Sequence, residues 1–169
     1  MNYKKIKQNN KGKRKYLRTA LYFFIAIAAA AVIISTTLLP LVKVSSDSMS
    51  PTIKNNDYVF MLKTKKIEKG DIIGFYYENK LLIKRVIGLQ GDLIDIDESG
   101  NVYVNNKIID EPYIKEKSAG QSDIDFPVQV PAGTVFVLND DRSHSTDSRS
   151  KALEFIKTDQ IEGKVIFKN

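Results

Sequence analysis

Gly70-Asp71-Ile72-Ile73-Gly74-Phe75-Tyr76-Tyr77-Glu78-Asn79-Lys80-Leu81-Leu82-Ile83-Lys84-Arg85-Val86-Ile87 is the stretch that decides the fold. It holds two apolar runs of strand length, rich in β-branched and aromatic residues, separated by the turn residues Glu78-Asn79-Lys80. That pattern predicts a β-hairpin. Reading outward, the same grammar repeats. Tyr58 to Leu62 lies on the N-terminal side, bounded by Asn55-Asn56-Asp57 and by Lys63 to Lys66. On the C-terminal side Gly91-Asp92 opens Leu93 to Ile96, and Glu98-Ser99-Gly100-Asn101 turns the chain into Val102 to Val104. Asn105-Asn106 leads to Lys107 to Ile109. Residues 110–125, with Pro112 and Gly120, read as a polar loop. Pro127, Pro131 and Gly133 bracket Val128 to Val130, Thr134 to Leu138 has the composition of a buried strand, and Ile161 to Phe167 is a last one. Only Ser150 to Ile156 suggests a short helix. Many short strands with regular turn signals predict a mainly β domain of sandwich or barrel type.

Ahead of that domain the chemistry changes. Residues 1–18 carry eight lysines and arginines and no acid, whereas the 169-residue chain as a whole has a net charge of +6. The remainder is therefore slightly acidic, and the basic character belongs to the tail. A basic tail can bind nucleic acid. This one abuts Thr19 to Val42, a run of 24 residues without a charge. As a helix that run spans about 36 Å, enough for a hydrocarbon core of about 30 Å. A cleaved signal peptide has a shorter apolar core of about 7–15 residues. The reading is a cytoplasmic tail at 1–18, a transmembrane anchor at 19–42, and an extracytoplasmic domain at 43–169, oriented by the excess of positive charge. The expected partners include the lipid bilayer and exclude nucleic acid. The chain has no cysteine, so an exported domain must be held by its core rather than by disulfides.

Three places carry candidate chemistry. Ser45-Ser46-Asp47-Ser48-Met49-Ser50-Pro51-Thr52-Ile53 begins three residues after the apolar run and packs hydroxyls around one acid and one proline. A serine becomes nucleophilic only when a base takes its proton. Lys84 is one candidate. Alternation along its strand places it on the face of Leu82 and Val86. A lysine there can pack its stem on apolar surface and send its amine to water. Alternatively it is desolvated, its charged form disfavoured, and the neutral amine acts as a general base. The single histidine, His144, is the other candidate, with Asp140 or Asp147 as partner acid. It lies in Asn139-Asp140-Asp141-Arg142-Ser143-His144-Ser145-Thr146-Asp147-Ser148-Arg149, a segment able to form a self-satisfied polar network.

Taken together and in order, these segments resemble the type I signal peptidases, the membrane-anchored Ser–Lys proteases that remove signal peptides from exported proteins. Residues 46–52 resemble the family's nucleophile box, 70–75 its second conserved strand, 84–92 its lysine box and 140–149 its last box. The resemblance spans residues 19–168. It implies an antiparallel β domain behind one transmembrane helix, and a serine endopeptidase acting on the signal peptides of preproteins without metal or cofactor. It assigns the nucleophile to Ser48 and the general base to Lys84. The Ser48 backbone N–H and the Ser46 hydroxyl are the implied oxyanion hole. Ser145 is implied to orient Lys84, Asp147 and Arg149 to form a supporting ion pair, and Met49 and Ile83 to line a small apolar substrate pocket.

The sequence departs from the family pattern at Gln90, Asn139, Asp141, Ser143 and His144. The last four fall around the lysine's support. A negative charge at Asp141, if close to Lys84, would favour its protonated form. A signal-peptidase-like protein with a non-catalytic role in pilus or surface-protein assembly is the alternative reading. A Ser–Lys self-cleaving repressor would need a DNA-binding helical domain where this chain has a basic tail and an apolar span.

Overall fold

The computed structural model describes residues 3–118, 122–144 and 146–168. It separates into two compact units, Met1–Leu39 and Pro40–Asn169.

The first unit is one helix, α1, Tyr3–Leu38. It ends where Pro40 follows. A proline supplies no N–H to a helix, and it pushes the residue before it, Leu39, out of helical geometry. The helix therefore stops short of the end of the uncharged run. Leu41 and Val42 lie instead in strand β1, Leu41–Lys43. Within the helix, Lys15–Ile33 is long and apolar enough to cross a membrane, and its side chains are exposed along their whole length.

The second unit is mainly antiparallel β. After β1 come β2 (Tyr58–Leu62), β3 (Ile72–Tyr77), β4 (Lys80–Leu89), β5 (Leu93–Ile96), β6 (Val102–Val104) and β7 (Lys107–Ile108). Then follow β8 (Val128–Gln129), β9 (Thr134–Leu138), β10 (Ile156–Lys157) and β11 (Ile161–Lys168). They form a seven-stranded sheet in the order β1-β2-β11-β3-β4-β9-β10 and a four-stranded sheet in the order β7-β6-β5-β8. The predicted hairpin is β3–β4, with Tyr77 opposite Lys80. Its two turn residues, Glu78 and Asn79, have φ of 45° and 62°. Left-handed backbone at both central positions matches the twist of the flanking strands and suits asparagine. Asn105-Asn106 makes the same kind of turn between β6 and β7, with φ of 54° and 63°.

The short helix expected over Ser150 to Ile156 is absent. The chain makes one turn there, closed by the Glu154 N–H donating to the Ser150 carbonyl at 2.7 Å. Glu154 then adopts φ 31° and breaks the spiral. Leu153 and Ile156 are drawn into the core, and Ile156 pairs with Val135 as β10.

Three apolar clusters hold the unit. Val135 and Val137 of β9 point into one, with Ile73, Phe75 and Val86, while Phe136 and Leu138 point into another, with Ile87, Ile94 and Val104. Strict alternation with burial on both faces explains why this strand has no polar residue after Thr134. The third cluster joins Val44, Met49, Ile53, Val59, Met61 and Ile83, and it lies beneath the serine-rich turn.

Strand β4 positions the site. Its first half pairs with β3, from Lys80 to Arg85, whereas β9 joins its other side only from Arg85 onward. Among the described residues, nothing pairs with Lys80 to Lys84 on the side away from β3. Strand β1 is likewise the terminal strand of its sheet. Two open strand edges thus border one cleft.

Candidate active site

The serine-rich turn is shaped by its own backbone and by two buried side chains. The Ser50 N–H donates to the Asp47 carbonyl at 2.8 Å, and the Ile53 N–H to the Met49 carbonyl at 2.8 Å. Met49 and Ile53 are each 1% exposed and fasten the turn to the third cluster. Asp47 is a local cap, its carboxylate accepting the Asn55 N–H at 3.0 Å. What remains at the apex is Ser48, buried and facing β4.

Lys84 meets it there. Its Nζ donates to Ser48 Oγ at 3.1 Å, and Lys84 is 2% exposed. Burial is the main influence on its amine and pushes the pKa down from 10.5 to about 8. The Asp147 carboxylate pulls the other way, and the Arg149 guanidinium adds to the lowering. The strand pattern alone left two readings of Lys84 open, a stem packed on apolar surface with its amine in water and a desolvated amine. The structure places the amine out of water and against a hydroxyl.

The polar segment after β9 forms the wall behind this pair. Asp147 and Arg149 are fully buried and joined in a two-point ion pair, Nε to Oδ1 at 2.9 Å and Nη2 to Oδ2 at 2.8 Å. The Asn139 N–H donates to Asp147 at 3.0 Å, and Arg149 Nη1 to the Arg142 carbonyl at 3.0 Å. The segment is tied to the serine turn directly, because the Asp141 N–H donates to the Ser48 carbonyl at 3.0 Å. Ser145 lies outside the described residues. The concern raised by Asp141 is met by geometry. Its carboxylate accepts the Ser143 hydroxyl at 2.6 Å and faces His144 Nδ1 at 3.2 Å, and the acid that acts on Lys84 is Asp147. His144 pairs with neither Asp140 nor Asp147, which are held by Arg85 and Arg149. Its side chain is half exposed and does not line the cleft in front of Ser48.

Ser46 and the Ser48 N–H do come together, with the N–H donating to Ser46 Oγ at 3.1 Å. In this state the two groups satisfy each other. Met49 and Ile83, both buried, line a cleft of about 430 Å³ with Val42, Val44, Leu81 and Lys84. Its long walls are the open edges of β1 and β4.

One network was not legible in the sequence. Arg85 grips Asp140 through Nε at 2.7 Å and Nη2 at 2.6 Å, donates to the Gly70 carbonyl at 2.9 Å, and stacks 3.9 Å above the Tyr113 ring. The Tyr113 hydroxyl donates to Glu111 at 2.7 Å, and Glu111 also pairs with Arg142. Two buried ion pairs thus lash the residue after Lys84, the 110s loop and the last box together. A charged residue beside Lys84 was the only available hint. Among the described residues no three His, Cys, Asp or Glu side chains converge on a metal-sized site.

The mainly antiparallel β fold is shared with a class of peptidases. A crystal structure of a signal peptidase I from Enterococcus faecalis V583 superposes with a TM-score of 0.50 at 29% identity, covering 60% of this chain and 97% of that one. Residues 16–168 match the family described as signal peptidase, peptidase S26, and the chain belongs to that family. Signal peptidase I S of Bacillus subtilis is 36% identical over 92% of this chain and 90% of its own. Signal peptidase IB of Staphylococcus aureus is 34% identical over 88% of each. The protein is therefore a peptidase.

Proposed function

We propose that this protein is a membrane-anchored serine endopeptidase that removes signal peptides from exported preproteins with a Ser48–Lys84 dyad. The observation that carries the reading is the buried 3.1 Å contact between Lys84 Nζ and Ser48 Oγ in the wall of a cleft also lined by Val42, Val44, Leu81 and Leu82. The relatives are named signal peptidases, and none of those names suggests a non-catalytic assembly role.

The chemistry follows from the geometry. With the Lys84 amine neutral, the hydrogen bond reverses and Ser48 O–H donates to Nζ. Attack of Oγ on the scissile carbonyl then passes that proton to Nζ, and the ammonium returns it to the leaving amine. The negative oxygen of the tetrahedral intermediate is received by the Ser48 N–H, once the Ser46 hydroxyl turns from acceptor to second donor. A neutral Lys84 next takes a proton from water, which hydrolyses the ester. The Asp147–Arg149 pair holds the wall against which Lys84 rests. The substrate enters as an extended strand between the open edges of β1 and β4, where main-chain bonds supply affinity and alternate pockets supply specificity. Met49 and Ile83 confine the residue before the cut to a small side chain.

The apolar part of α1 anchors the enzyme, and the eight positive charges of residues 1–18 keep that end cytoplasmic. A reporter fused after Asn169 is then external. The test of function is incubation of the detergent-solubilised full chain with a preprotein and N-terminal sequencing of the product. Cleavage after Ala-x-Ala that is absent from Ser48→Ala is the expected result. Cleavage surviving in Ser48→Ala removes the serine from the mechanism.

A further inference from the structure

A second cleft, of about 360 Å³, is lined by Ser50 and Asp141 and has no place in the mechanism above. The first cleft is lined on one side by Val42 to Ser46, the end of β1 and the segment after it, and on the other by Lys80 to Lys84 of β4. Beyond Ser48 the serine turn continues to Ser50, which lines the second cleft. Strand β4 continues to Arg85, whose partner Asp140 also lines it. The bond from the Asp141 N–H to the Ser48 carbonyl ties a residue lining the second cleft to one lining the first. The second cleft thus begins two residues past Ser48 along the turn.

The linings differ in kind. Half of the residues lining the first are apolar, whereas the second is built from serines and charged groups. Within it Asp140 is neutralised by Arg85 and Arg142 by Glu111. That leaves Lys115 and Glu116, both exposed, and the Asp141 carboxylate. The excess is one negative charge, and Asp141 is the member held in place. Its Oδ1 takes both the N–H and the hydroxyl of Ser143, at 3.1 and 2.6 Å, and its Oδ2 faces His144 Nδ1 at 3.2 Å.

We propose that this cleft is the subsite for the first residues of the mature protein after the cut, and that Asp141 selects a cationic over an acidic side chain there. The inference rests on the signal-peptide reading and names the part of the substrate that reading leaves unassigned. The test uses the full chain in detergent and peptides identical up to the cut, carrying Lys, Ser or Asp at the first, second or third position after it. Wild type favours Lys over Asp by about two- to fivefold in kcat/KM at one of these positions, the size of a partly exposed charge pair. The difference resides in KM, shrinks at high salt, and falls to about one in Asp141→Asn. Equal rates for Lys and Asp in wild type, or a preference unchanged in Asp141→Asn, overturn the subsite while leaving signal-peptide cleavage intact. Failure to cut any of the peptides overturns both.

Discussion

If Lys84 is the base, its protonation equilibrium sets the rate, and the structure supplies the magnitude. A pKa of about 8 in place of 10.5 raises the neutral fraction at neutral pH by about 300-fold, from about one in three thousand to about one in ten. The value of kcat/KM should therefore climb about tenfold per pH unit on the acid side, bend near pH 8 and level above it. Lys84→Ala should lose about 10²–10⁴-fold of kcat/KM together with the limb. Asp147 pulls the Lys84 pKa upward, so weakening its charge should move the bend to lower pH. A second readout is stability. The folded-state pKa lies below the unfolded one, so the unfolded chain binds more protons between about pH 8 and 10.5. Burial of the ammonium then costs about 3 kcal/mol below pH 8, and the cost fades as pH rises to 10.5. Lys84→Met should accordingly be more stable than wild type at pH 6 to 7, by about 1–3 kcal/mol, with the advantage shrinking toward pH 10.5. The assays are kcat/KM against pH on a signal-peptide substrate and denaturant unfolding at a series of pH values. A limb near 10.5, a limb that survives in Lys84→Ala, or a Lys84→Met variant less stable at pH 6 would refute the reasoning.

Other outcomes follow from the same contacts. His144→Ala should keep turnover within about tenfold, because the imidazole faces Asp141 rather than Ser48, whereas loss of a true base costs orders of magnitude. Replacing the alanine before the cut by phenylalanine should stop cleavage if the cleft wall that Met49 and Ile83 help line is the substrate pocket; equal rates for the two substrates would reject the small pocket. Asp140→Ala strands Arg85 as a buried, unpaired charge and should cost about 3–5 kcal/mol by denaturant unfolding, a loss that an ordinary surface ion pair would not show. Gly163→Ala would set a Cβ 2.5 Å from the Leu62 carbonyl oxygen, a backbone atom unable to swing aside. A drop of about 1–3 kcal/mol is expected, and an unchanged midpoint would mean that β2 and β11 separate more easily than their pairing implies.

The sequence by itself carried the strands and the architecture. β2, β3, β5, β6 and β9 stand where apolar runs meet turn residues, because alternation and left-handed Asn turns are local properties that depend on a few adjacent side chains. It carried the anchor-like helix for the same reason, since an uncharged run needs no partner to be recognised. It also named Ser48 and Lys84, through spacing and resemblance rather than through any visible contact. Local signals failed where long-range packing decides. Leu41-Val42 was read as the end of the apolar span, but Phe60 and Val59 of β2 claim it as a strand. Ser150 to Ile156 was read as helical, but the core takes Leu153 and Ile156 in opposition to a continuous spiral. Only the tertiary structure brought residues 36 positions apart to 3.1 Å and removed Lys84 from water, which is what lowers its pKa. Only the fold, likewise, joined Arg85 to Asp140 across 55 positions and turned the open edges of β1 and β4 toward one cleft. Desolvation and charge pairing are properties of a neighbourhood, and a neighbourhood exists only once the chain has folded.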